Sequence, residues 1–414
     1  MIELLCERFG ITGRVRDAAT AAYERARNLT YPAQDRVAAN VLQAFLDEGI
    51  VESDLAGTLG YGYNDAARAR YESLLCRIFQ AERALARLSI VSGTHAIVAA
   101  LSACAPPGKA LLSISGRPYD TLRNAIADAP HCLVSTGVEY REVALRRDGE
   151  PDFAGIERAL RSGDVAVAFV QRSRGYAPRP SLRVAQCEAA GALVKAHAPH
   201  AVVVVDNCYG ELVEEREPSE NVDLIVGSLI KNAGGSMAPA GGYVAGRATL
   251  VDRVAARVYA PGLSAALGPT LGFGRALVQG LFQAPLIVAQ TLRGLDFWAA
   301  LFEGLGYEVE PKSGALRTDI VQAIRLGSAE SIERFAAGLQ AALPVNARFR
   351  PEPGAVPGYA EPVVMSSGAF VAGSTLELSC DAPLRPPFEV YVQGGVSTAH
   401  SYLGALFAAR AVAA

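Results

Sequence analysis

Between residues 90 and 230 the chain repeats one pattern, and that pattern limits the fold more than any other feature. Short apolar runs, rich in β-branched residues, alternate with helical stretches such as Ala185–Ala198. Ala110–Ile114, Cys132–Val134, Val165–Val170, Ala201–Val205 and Leu224–Val226 read as buried strands. Strands separated by helices imply βαβ units and a mainly parallel sheet, hence an α/β fold. Ligands of such sheets sit beyond the carboxyl ends of the strands. The residues just after each run are therefore the candidates for chemistry.

The flanks differ. Residues 16–50 read as two helices, the second after Tyr31-Pro32 with Val37, Val41, Leu42 and Phe45 on one face. Beyond residue 300 the pattern turns mixed: Ile320–Ile324 reads as a strand, Ala329–Leu343 as a helix, Thr375–Ser379 as a strand, and 350–359 as a Pro/Gly-rich loop. The expected organisation is an N-terminal helical arm (1–60), a large domain (61–300) and a smaller α+β domain (301–414).

Several function classes are disfavoured by composition. A net charge of −3 leaves no basic field for nucleic acid or an anionic membrane surface. The apolar stretch 263–292 is interrupted by Pro269, Arg275, Gln279, Gln283 and Pro285, so it reads as buried helix rather than a membrane span. The first 16 residues hold Glu3, Glu7 and Arg8 and no long apolar core, so no secretory leader is expected. Seven cysteines with no CxxC point to reduced thiols and a cytoplasmic setting. Five histidines without paired ligand spacing give no metal site.

Four strand ends carry candidate groups. Asp206 directly follows Val202-Val203-Val204-Val205; it is either a helix cap or a carboxylate able to pair with a protonated pyridine nitrogen. Lys231 lies in Gly227-Ser228-Leu229-Ile230-Lys231-Asn232, after the next strand. It is either a solvated surface residue or a buried amine whose pKa falls, ready to form a Schiff base. Ser92-Gly93-Thr94-His95 opens a helix, an ordinary cap or a phosphate cradle of backbone N–H groups, with His95 facing either a ring or the core. Tyr119, in Gly116-Arg117-Pro118-Tyr119-Asp120, is an aromatic suited to stack on a planar ring.

Taken in order, SGTHAI (92–97), GRPYDT (116–121), VVVDNCYGE (203–211) and GSLIKNAGG (227–235) resemble the fold-type I enzymes that depend on pyridoxal 5'-phosphate (PLP). More closely, they resemble the methionine gamma-lyase-like group often labelled aluminium resistance proteins. Tyr61-Gly62-Tyr63-Asn64-Asp65, Gln171-Arg172-Ser173-Arg174-Gly175-Tyr176 and Gln393-Gly394-Gly395 are similar to that group too. The likeness spans roughly residues 57–400. Departures fall at Arg87-Leu88-Ser89, where the group has Arg-Pro-Gln, at Ala66-Ala67, where it has a glycine, and at Ile230, where related lyases place threonine.

The resemblance implies roles. Lys231 carries PLP and moves protons. Asp206 pairs with the pyridine nitrogen. Tyr119 stacks on the ring and serves as acid or base. Ser92, Gly93, Thr94, His95 and Ser228 line the cofactor and its phosphate. Tyr61 and Tyr63 reach into a neighbouring subunit's site, which implies a homodimer or homotetramer. Arg385 or Arg174 holds the substrate carboxylate. The implied reaction is elimination from a small amino acid, foremost gamma-elimination of a Cγ thiol or halide. Beta-elimination, gamma-replacement, transamination and a non-catalytic PLP-binding role in metal tolerance stay open.

Overall fold

The computed structural model describes residues 1–413, which fall into two compact units. One is Asp35–Pro285. The other joins Met1–Gln34 to the chain from Leu286 onward.

The first unit holds a seven-stranded sheet: β1 (Arg83–Arg87), β2 (Ala110–Ser113), β3 (Glu139–Glu142), β4 (Val165–Gln171), β5 (Val202–Asp206), β6 (Leu224–Ser228) and β7 (Gly242–Gly246). Their order is β1-β7-β6-β5-β4-β2-β3. The five from β6 to β3 are parallel, and β7 runs antiparallel to both neighbours. Alternate side chains feed two separate apolar layers. Val203, Val205, Ala168 and Val170 face one layer, with Tyr71 and Leu74. Val204, Val167 and Phe169 face the other, with Ile97 and Val251. Burial on both faces explains why these strands read as continuous apolar runs. The shared direction brings the carboxyl ends of β2, β4, β5 and β6 to one edge.

The second unit is built on an antiparallel sheet of β8 (Glu308–Glu310), β9 (Val321–Arg325), β10 (Val363–Ser367), β11 (Ser379–Pro383) and β12 (Glu389–Gln393), ordered β10-β11-β12-β9-β8. The helices Ala329–Gln340 and Thr398–Ala413 pack together. Phe9 and Tyr23 set their rings edge-on against Phe407 and Tyr402 of the last helix, with centroids 5.5 and 6.0 Å apart.

The two units divide the chain differently from the expected organisation. The first 34 residues join the C-terminal unit instead of forming an arm with residues 35–60. The helix Pro32–Glu48 goes with the large unit, where Phe45 meets Phe282 at 5.3 Å. The second boundary falls at Pro285 rather than 300, inside the helix Gly274–Gly304. Of the face predicted on Pro32–Glu48, Val37 and Val41 are buried while Leu42 is exposed.

Two predicted strands also shift. Cys132–Val134 opens a single 3₁₀ turn, Leu133–Thr136, and the strand is Glu139–Glu142. It pairs with β2 alone, at the sheet edge, where charged residues are tolerated. Thr375–Ser379 is irregular because Leu378 sits at φ 37, and the strand starts at Ser379. No helix among the described residues is long and apolar enough to cross a membrane.

Candidate active site

The parallel strand ends gather most of the predicted residues in the large unit. Asp206 closes β5 and is buried. Its Oδ1 accepts the Cys208 N–H at 3.1 Å. Burial pushes its carboxyl up to about 6, against the Cys208 hydrogen bonds and the charges of Lys231 and Arg179. A carboxylate so raised is poorly compensated by its own chain and suits a cationic partner.

Lys231 follows β6 by one turn and is half-buried. Its Nζ lies 3.7 Å from the centroid of the Tyr209 ring. The expected fall in its pKa does not occur. Burial pulls it down, but Tyr209, Cys208 and Glu211 together carry it above the ordinary lysine value. The neighbours that reverse the sign lie on the turn after β5, a juxtaposition that local sequence does not reveal.

The helix Gly93–Cys104 points its N-terminus at the same edge. Ser92 caps it, its Oγ accepting the His95 backbone N–H at 3.1 Å. The N–H groups of Gly93 and Thr94 belong to the first turn, which has no carbonyls of its own helix to bond. A Cβ on Gly93 would lie 3.1 Å from Cys208 Sγ and 3.4 Å from Ser228 Cβ. The glycine thus lets the helix end seat against the ends of β5 and β6. The Ser228 hydroxyl is buried and donates to the Gly241 carbonyl at 3.4 Å.

Tyr119 joins this group through its hydroxyl, 2.7 Å from Thr94 Oγ1. Its N–H is held by Gln171 Oε1, at the end of β4, at 2.8 Å. Burial and then the Asp206 charge hold the phenol well above its usual pKa, so it stays protonated.

Arg174 is buried in the same unit, with its Nε donating to the Ala177 carbonyl at 3.2 Å. Arg385 belongs to the other unit, where its Nη1 lies 3.7 Å from Glu361 Oε2 and its guanidinium 6.0 Å from the Tyr359 ring. Tyr61 and Tyr63 are 72% and 53% exposed, on a loop that is tightly fixed. Gly62 takes φ 66 there, and Arg68 Nη1 donates to the Gly62 and Gly268 carbonyls at 2.6 and 2.7 Å. Asp65 accepts hydrogen bonds from Thr58, Arg68 and Thr270.

Sequence reasoning passed over Tyr209, Asn232, Cys208 and Glu211. Tyr209 and Cys208 lie within three residues of Asp206, and Asn232 adjoins Lys231. That closeness was the available signal.

The methionine gamma-lyase family model matches residues 15–413. The chain belongs to the methionine gamma-lyase family. Within reach of this family stands YnbB of Bacillus subtilis, 39% identical over 365 residues, covering 87% of this chain and 86% of that protein. A carbon-sulfur lyase involved in aluminium resistance from Clostridium novyi superposes with a TM-score of 0.92 at 35% identity, over 98% of this chain and 97% of the other. The pyridoxal-5'-phosphate-dependent protein YhfS of Escherichia coli shares the fold, with a TM-score of 0.61 at 18% identity over 91% of this chain and 96% of that one. The family architecture is the fold-type I large unit with a mainly parallel sheet, joined to a smaller unit with an antiparallel sheet.

Proposed function

We propose that this family member is a PLP-dependent carbon–sulfur lyase that performs gamma-elimination on an amino acid bearing a thiol or halide at Cγ. The observation that carries the reading is the convergence of Lys231, Asp206, Tyr119 and the Gly93–Thr94 helix start on one sheet edge. The donor set fits the cofactor. The free N–H groups of Gly93 and Thr94 suit a phosphate, the raised Asp206 carboxyl suits a pyridinium, and the Lys231 amine suits an aldehyde.

When bound, PLP supplies a cationic conjugated ring that stabilises negative charge on the substrate α-carbon. Asp206 would keep that ring protonated. Lys231 would take the proton from Cα and hand it on to the cofactor, which would free the amine to remove a second from Cβ and return it later. Tyr119, already protonated and hydrogen-bonded to Thr94, would donate to a leaving group that departs poorly by itself. A guanidinium, Arg385 or Arg174, would hold the substrate carboxylate.

The exposed rings of Tyr61 and Tyr63, on a loop fixed by Arg68 and Asp65, favour a second copy of the chain as their destination. We therefore assign the working form to a homodimer or a dimer of dimers.

The test is an absorbance spectrum of purified protein supplied with PLP, beside Lys231→Ala. A visible band in the wild type that is lost or moved in the variant supports the cofactor and its lysine. Release of thiol and 2-keto acid from sulfur amino acids then supports the reaction. A colourless wild type refutes the cofactor assignment, and a coloured protein that only exchanges amino groups refutes the lyase assignment.

A further inference from the structure

Tyr209 adopts φ 71, the left-handed region that non-glycine residues seldom enter. Such strain persists only where surrounding contacts over-determine it, and here they do. Asn232 Nδ2 donates to the Tyr209 carbonyl at 3.0 Å and to the Glu211 carbonyl at 2.8 Å. Arg172 Nη1 donates to the Gly210 carbonyl at 3.0 Å and to Asn207 Oδ1 at 2.6 Å. Glu217 accepts the Leu212 N–H and Asn207 Nδ2, each at 2.7 Å. The turn is thus clamped from three sides. Asp206 does not need this clamp, since its strand and the Cys208 N–H already fix it. What the clamp does fix is the Tyr209 backbone, from which the ring reaches to 3.7 Å from Lys231 Nζ.

We propose that Tyr209 is a positioning residue for Lys231, its ring holding the amine as an ammonium in the cofactor-free protein. The proposal rests on Lys231 being the cofactor lysine. A ring face attracts an ammonium through its quadrupole. A carboxylate in that place would form an ion pair with the lysine, a stronger tether on a proton that must move to carbon. The titratable groups that act on the amine are Tyr209, Cys208 and Glu211 from the turn after β5, with Asp206 at the end of that strand and Arg179 acting in turn on Asp206.

The experiment labels the cofactor-free full-length protein with limiting acetic anhydride across a pH series. The acetylated Lys231 peptide is quantified by mass spectrometry. Wild type is compared with Tyr209→Phe, which keeps the ring, and with Tyr209→Gly, which removes it and tolerates the left-handed backbone. The expected result is a Gly profile displaced about one pH unit below wild type, roughly a ten-fold gain in labelling at a fixed pH, with the Phe profile between the two and nearer wild type, because the Tyr209 hydroxyl also acts on the amine. A Gly profile on the wild-type curve overturns the proposal, and so does a Phe profile on the Gly curve, which would assign the effect to the hydroxyl. The PLP spectrum of wild type is recorded in parallel. If wild type takes up no cofactor, the reading of Lys231 falls and this proposal with it. If it does take up cofactor while the labelling curves coincide, the proposal alone falls.

Discussion

Asp65 and Asp206 are both buried carboxylates of the large unit, and their surroundings drive them in opposite directions. Burial raises both, yet Asp65 ends at about 2 and Asp206 at about 6. Asp65 collects N–H or hydroxyl donors from Thr58, Arg68 and Thr270 and ties together the loop that carries Tyr61 and Tyr63. Asp206 gets one backbone donor. A buried acid satisfied by its own chain is an anchor, while one left short of partners is suited to a ligand.

The largest effect that sharpens this contrast is on turnover. Asp206→Asn should lower kcat by about 100-fold or more, since a neutral amide no longer holds the cofactor ring cationic. Asp65→Asn should spare kcat per folded protein by comparison. Steady-state assays normalised to bound cofactor check both, and equal losses would break the contrast.

Next comes Glu211, a buried acid raised to about 8 by burial and by the charge of Glu217, against the hydrogen bond from Tyr243. A raised acid holds its proton longer in the folded state than in the unfolded one. Its stabilising contribution is therefore present below about pH 4.5 and is lost as pH rises to about 8. Glu211→Gln, which mimics the protonated form, should remove most of that loss. At pH 8 the gain is up to roughly 5 kcal/mol, at about 1.4 kcal/mol per pKa unit. Urea unfolding at pH 5 and pH 8 measures it.

Asp65→Asn should destabilise the protein by about 3 kcal/mol at pH 7, because its amide nitrogen faces donors. Asp65 is depressed, so its ionic contribution is present above about pH 4 and disappears as pH falls to about 2. The variant and wild type should converge there. An effect of similar size and opposite sign is that of Asp206→Asn on the cofactor-free protein. Asp206 is raised, so its contribution is lost between about pH 4 and 6. The variant should be up to roughly 3 kcal/mol more stable than wild type at pH 7 and equal to it below pH 4. A destabilised Asp206→Asn would place this acid with Asp65.

Much of this was legible from residue order. The strand runs ending at Asp206 and before Lys231 are buried on both faces, so their apolar content exposed them directly. The pairing partners of the sheet edge were less visible. Glu139–Glu142 carries charges where an interior strand would carry valine, and three of the five residues of β7 are glycine or alanine. The placement of the first 34 residues depends on contacts with the last helix, hundreds of residues away, and no local pattern encodes that. For the same reason the sign of the Lys231 shift escaped notice: residues 209 and 231 meet only because β5 and β6 are adjacent.

The fixed loop at Tyr61 and Tyr63 has a consequence for assembly. With Arg68 bonded to Gly62 and Gly268, the two rings are in place before any encounter, so association spends little ordering entropy on them. If those rings complete the pocket of a second copy, two crippled chains can repair each other. One lacking Lys231 and one lacking Tyr61 and Tyr63 would, when dissociated and reassembled together, regenerate a single whole pocket in each mixed pair, and activity would return from two inactive preparations.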